Sequence, residues 1–147
     1  MLNSPLYERD FFAWASEQAA LLRTGKLDLA DIIHIAEEIE SMGRTEKREL
    51  VSRLAVLLTH LLKWRFQPSL RGVSWRLTIE VQRRELARHL VDNPSLKARL
   101  DEAIEAAYGD AVLVAAKETG IDKKDFPLVC PWSHRQMSDP EFWPNDA

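Results

Sequence analysis

Four histidines, one cysteine and many carboxylates and arginines are the side chains of this 147-residue chain that could do chemistry. The densest group is the run HIAEEIE, with His34, Glu37, Glu38 and Glu40. His34 shares a helix face with Glu37 or Glu38, three and four residues on. Glu37 and Glu40 flank an apolar stripe, and His60 sits in the most apolar stretch of the chain. Carboxylates and imidazoles on facing helices are how helical bundles hold metals. A metal site here would use Glu37, Glu40 and His60, with Glu80 as a further oxygen donor. The order is His-x-x-Glu, however, and no second copy exists. The favoured reading is structural: Glu37 and Glu38 as surface acids, Glu40 paired with a base, His60 buried and hydrogen-bonded, and no cofactor.

A second group is Cys130 with His134 four residues on. A working thiol–imidazole pair needs a lowered thiol pKa and a third group to orient the base. The flanking prolines and Trp132 point instead to a packed thiol. No G-x-S-x-G, P-loop or dinucleotide fingerprint occurs, and five glycines leave little material for phosphate-cradling loops. No catalytic residue can be named, and the reading leans away from an enzyme.

The third group mixes cations and aromatics. Lys63-Trp64-Arg65-Phe66 and Ser74-Trp75-Arg76 bracket a break in the pattern, and Arg71, Arg83, Arg84 and Arg88 extend the cluster. Such side chains together can stack on bases and hold phosphates, or meet an acidic protein. The favoured reading is that Trp64 and Trp75 are core anchors, with arginines covering or stacking on their faces. Among binding roles, the expected surface is Lys63, Trp64, Arg65, Arg71, Trp75, Arg76, Arg83 and Arg84. A protein is the first-choice partner and nucleic acid the alternative; a homo-oligomer stays open.

The elements that must position these residues read at helical period. Segment one spans about Pro5 to Thr24, with Phe11, Trp14, Ala15, Leu21 and Leu22 apolar and Gly25 as the stop. Segment two starts at Asp28, a good N-cap, carries Leu29, Ile32, Ile33, Ala36 and Ile39, and ends at Gly43. Thr45 caps segment three, which runs to about Phe66 before Pro68. From Leu54 to Leu62 it reads LAVLLTHLL, the signature of a central helix buried on several sides. Segment four runs from about Ser74 to Asn93-Pro94. Segment five follows with Leu96, Leu100, Ala103, Ile104, Ala107, Tyr108, Ala111, Val114 and Ala115, a candidate bend at Gly109 and a stop at Gly120. The remainder, residues 121–147, holds four of the seven prolines and four aromatics, Phe126, Trp132, Phe142 and Trp143. It is expected to pack as an irregular strap with a helical turn from Ser133. The fold class is all-α: one domain, a bundle of about five antiparallel helices over residues 5–120, with the strap over 121–147.

Charge is uneven. Residues 44–99 hold 13 Lys/Arg and 5 Asp/Glu, a net of +8, while the rest carries −11. Internal pairing, as Glu49–Arg53 and Glu80–Arg84 at i, i+4, is favoured over an outward basic surface. A single cysteine fits a reducing cytoplasm. Glu8, Arg9 and Asp10 break any secretory signal, and no apolar run approaches the about 20 residues of a membrane span.

Three stretches, EEIESMGRTEKREL (Glu37–Leu50), LLTHLLKWRFQP (Leu57–Pro68) and SWRLTIEVQRREL (Ser74–Leu86), carry a resemblance. With YERDFFAW (Tyr7–Trp14), CPW (Cys130–Trp132) and DPEFWP (Asp139–Pro144) at the ends, the chain resembles a bacterial family known as domain of unknown function twenty-nine. The resemblance covers nearly the whole chain. It implies an almost entirely helical fold and a bacterial cytosolic setting, and it brings no catalytic residue.

Overall fold

The computed structural model describes residues 6–145, so Pro5, at the expected start of segment one, lies outside the described residues. The chain divides into two compact units, one up to Thr45 and one from Glu46. Among the described residues there are six α-helices, short 3-10 turns and no strand, so the fold is all-α.

The first unit begins with α1 (Leu6–Arg9) and α2 (Phe11–Arg23). Asp10 separates them: its carboxylate accepts from the Ala13 amide at 3.0 Å and caps α2. Gly25, at φ 72°, turns the chain after α2 in the left-handed region that only glycine enters cheaply. A 3-10 turn at Leu27–Leu29 leads into α3 (Ile32–Phe66). Asp31 rather than Asp28 stands at the start of this helix. The Asp31 backbone amide donates to the Gln18 side chain at 2.7 Å, and its carboxylate accepts from the Trp14 indole at 3.0 Å. Those buried bonds, with Trp14 and Ala30 packed beside them, fix the helix start three residues later than propensity alone suggests.

A larger departure follows. The expected break at Gly43 and cap at Thr45 do not form: α3 is continuous over 35 residues. Instead of capping, the Thr45 hydroxyl donates back to the Ser41 carbonyl at 3.0 Å. A glycine inside a helix costs about 1 kcal/mol, too little to end a helix that gains one backbone hydrogen bond per residue beyond it.

In the second unit the C-terminal part of α3 packs with α4 (Val73–Asp92) and α5 (Leu100–Thr119). Leu50, Leu54, Leu57, Leu58, Leu61 and Leu62 are fully buried, each contributing roughly 1.5–3 kcal/mol. Ile79, Leu86 and Leu90 meet them from α4, and Ala103, Ala107, Tyr108, Ala111 and Ala115 from α5. The alanine row on α5 lets that helix approach closely. Gly109 leaves α5 unbroken, and Gly120, at φ 78°, closes it. The C-terminal segment packs as expected: Phe126, Trp132 and Met137 enter the same core, and Ser133 caps α6 (His134–Ser138) in a reciprocal capping box with Gln136.

Candidate functional site

The α3–α4 hairpin organises the cation and aromatic groups at the turn and a further cluster at its far end. Its contacts pair residues equidistant in sequence from Ser69: Lys63 with Trp75, Arg53 with Glu85, and Glu49 with His89. At the turn itself the chain is short of acids: no Asp or Glu occurs from Leu50 to Ile79, while Arg53, Lys63, Arg65, Arg71 and Arg76 all do.

The aromatic rings at this turn are anchors. Trp64 is 7% exposed and lies 4.6 Å from the Trp143 ring. Arg71 and Arg76 stand over Trp64 at 5.3 and 5.8 Å, and Arg76 also faces Trp143 at 5.8 Å. Arg65 lies 5.1 Å from the Phe66 ring. Arg71 donates from Nε to the Trp64 carbonyl at 2.6 Å, which ties the turn to the end of α3. Lys63 stands 5.0 Å over Trp75 and holds Glu118 of α5 at 2.7 Å. Leu70 and Val73, on either side of Arg71-Gly72 in the chain, are exposed.

Two of the expected binding arginines, Arg83 and Arg84, lie farther along α4. Arg83 is buried and donates from Nε to the Met137 carbonyl and from Nη2 to the Phe142 carbonyl, both at 2.7 Å. Its guanidinium also lies 5.4 Å from the Trp143 ring. Arg83 therefore clamps the strap; burial lowers its pKa from the ordinary arginine value. Arg84 is exposed along a groove of about 710 Å³ walled by Leu77, Val81 and Pro140. The expected Glu80–Arg84 pair does not form among the described residues, whereas Glu49–Arg53 does, at 3.6 Å.

Glu37, Glu40 and His60 lie on one helix, twenty residues apart from Glu40 to His60, rather than on two facing helices. Among the described residues they form no ligand group, and Glu80 joins none. Glu40 reaches Arg44 at 3.9 Å. His60 hydrogen-bonds the Val56 carbonyl through Nδ1 at 2.8 Å, and burial pulls its pKa down. His34 pairs with Asp31 at 2.8 Å and stacks on Tyr7 at 3.7 Å. The Tyr7 hydroxyl donates to Glu38, and that bond, foremost, pushes the phenol up to about 12. These contacts tie α1, α2 and α3 of the first unit together. Cys130 donates to the Trp132 carbonyl at 3.4 Å and burial raises its pKa, while His134 bonds Ser138. That thiol is not activated.

The group that sequence reasoning missed is Glu46, Glu49 and His89. The hairpin brings the Glu-x-x-Glu of α3 against the last turn of α4. His89 is 5% exposed. Its Nε2 lies 2.7 Å from the Glu46 carbonyl, and its Nδ1 lies 2.7 Å from the Glu49 carboxylate and 3.7 Å from that of Glu46. The i, i+3 acids were visible in the sequence; their histidine was not, because it depends on the register about Ser69.

No helix among the described residues is long and apolar enough to cross a membrane. No curated protein and no solved structure matches the chain significantly. A family model does match it from residue 6 to residue 143, taking in both units, the arginine-bearing turn and the strap, and the chain belongs to that family, described as Domain of unknown function DUF29.

Proposed function

We propose that this protein is a cytoplasmic binding module that docks an acidic stretch of a partner protein on the α3–α4 turn. The observation that carries the reading is the acid-free run from Leu50 to Ile79, folded so that Arg76 stands over the buried Trp64 ring and Arg65 over the Phe66 ring, with Leu70 and Val73 exposed in the same stretch. Stacking an arginine on a ring holds its planar fork in place, so less side-chain entropy is lost when a carboxylate binds. Exposed apolar side chains among the cations favour a protein over a bare polyanion. The single, unactivated thiol of Cys130 agrees with a reducing compartment.

The test is fluorescence anisotropy with a labelled acidic amphipathic peptide and, in parallel, a generic DNA duplex, at about 50 and 200 mM salt. Saturable peptide binding that is lost in the double variant Arg65→Glu/Arg76→Glu, with the variant still folded by circular dichroism, supports the reading. Tighter binding of the duplex at both salts would replace it with nucleic-acid recognition. Absence of binding to either probe at the lower salt, or undiminished binding by the variant, would overturn it.

A further inference from the structure

We propose that His89, Glu49 and Glu46 form a binding site for a divalent first-row transition ion, with Zn²⁺ as the type occupant. A backbone carbonyl can only accept, so the 2.7 Å contact between His89 Nε2 and the Glu46 carbonyl places the ring proton on Nε2. Nδ1 then points at two carboxylates, at 2.7 and 3.7 Å, neither of which can donate to it when ionised. A buried nitrogen lone pair aimed at carboxylate oxygens calls for a cation between them, either a second proton or a metal ion.

The rest of the site suits the metal. Imidazole with carboxylates is a donor set for zinc and its neighbours in the first transition row. A metal-binding histidine ordinarily donates its other ring N–H to a carbonyl or carboxylate, and His89 already does so. The three donor atoms lie within 4.8 Å of one another, against about 3.4 Å between ligands of a tetrahedral ion at 2.0–2.2 Å. The glutamate side chains are 49% and 45% exposed, so Glu49 can open its 2.7 Å contact to the ligand spacing, Glu46 can swing in, and water can complete the coordination. Arg53 Nε stands 3.6 Å from the Glu49 oxygen and makes no hydrogen bond of its own. It balances charge without taking the carboxylate's place as a ligand. One ion here would cross-link α3 to the last turn of α4.

The experiment uses the full chain, stripped with chelator and titrated with Co²⁺ and with Zn²⁺ against a fluorescent indicator. The expected result is one equivalent bound, visible Co²⁺ absorption bands, and a Zn²⁺-dependent rise in Tm. Glu49→Gln and Glu46→Gln keep side-chain shape and should each weaken binding at least tenfold; they carry the test if His89→Ala fails to fold. Mn²⁺ should selectively broaden the His89 ring resonances. No stoichiometric binding would mean that the site takes no metal, and wild-type affinity in both glutamine variants would place any bound ion elsewhere; either result overturns the proposal.

Discussion

Arg83 shows how far one side chain can decide the behaviour of a segment. It is a buried cation that donates to two carbonyls and faces an aromatic ring, with Asp139 and Glu80 favouring its charge through space. Hydrogen bonds from a charged donor contribute about 1.5–3 kcal/mol each, so Arg83→Met should cost roughly 3 kcal/mol. It should also expose the strap: limited proteolysis is expected to cut between Met137 and Trp143 in the variant at protein concentrations where wild type resists. An unchanged urea midpoint and cleavage pattern would mean the strap is held by its aromatics alone. Glu118 offers a pH-dependent case. Its carboxyl is held below the ordinary range, chiefly by the hydrogen bond from Lys63. A depressed carboxyl stabilises the fold above its unfolded pKa, about 4.3, and that contribution disappears as pH falls through the folded value. Glu118→Gln should therefore be less stable than wild type at neutral pH, with the gap closing below about pH 4. A gap independent of pH would sink the assignment. The Glu118 side chain is 46% exposed, so the effect should be small and weakened by salt.

At the scale of elements, α3 is where the sequence is easiest and hardest to read. LAVLLTHLL is apolar on nearly every side, and its five leucines, with Leu50 before them, are the buried centre of the second unit. Gly43 followed by Thr45 reads as a stop and a cap, yet the helix continues through both. Local signals place a helix end where the chain has an alternative to helix, but neighbours decide whether the alternative is used. The same signal set Glu37, Glu40 and His60 on two facing helices with a break at Gly43; the structure has them on one helix, and the hairpin about Ser69 brings Glu46, Glu49 and His89 together. The arginine–tryptophan cluster was legible because Pro68 marks that turn in the sequence. The glycines give a matched test. Gly43 has helical backbone and nothing within 4 Å of a built Cβ, whereas Gly120 caps α5 at φ 78°. Gly43→Ala should stabilise by about 1 kcal/mol, and Gly120→Ala should destabilise by about 1 kcal/mol. Denaturant midpoints moving in the same direction for both would mean that α3 is not helical at Gly43 in solution.

The charge asymmetry is in part an internal arrangement of the second unit. Lys47 and Arg99 meet Glu102, Lys63 meets Glu118, and Arg53 and Arg88 meet Glu85. Of these acids only Glu102 and Glu118 come from outside residues 44–99, so they offset two charges of its +8 excess, while Glu85 pairs within it. Apolar burial is distributed just as unevenly. Among the described residues, the large buried core belongs to the second unit, while the first buries Trp14 and Ala30 around a polar network of Gln18 and Asp31. The first unit instead exposes Phe11, Phe12, Leu27, Leu29, Ile32, Ile33, Ile39 and Met42. Hydrophobic burial is the main favourable term in folding, so the two units should differ in local stability. Native-state hydrogen exchange should reveal this as two cooperative groups of amides. Those of α2 and the first turns of α3 should open at low free energy with a small denaturant slope, since little surface is exposed when they do. Those from Leu50 to Trp64 and from Ala103 to Ala115 should open only with global unfolding. If both groups exchange with one free energy and one slope, the chain unfolds as a single unit, and the hydrogen-bonded network of Tyr7, Trp14, Asp31 and His34 contributes far more than its small apolar core accounts for.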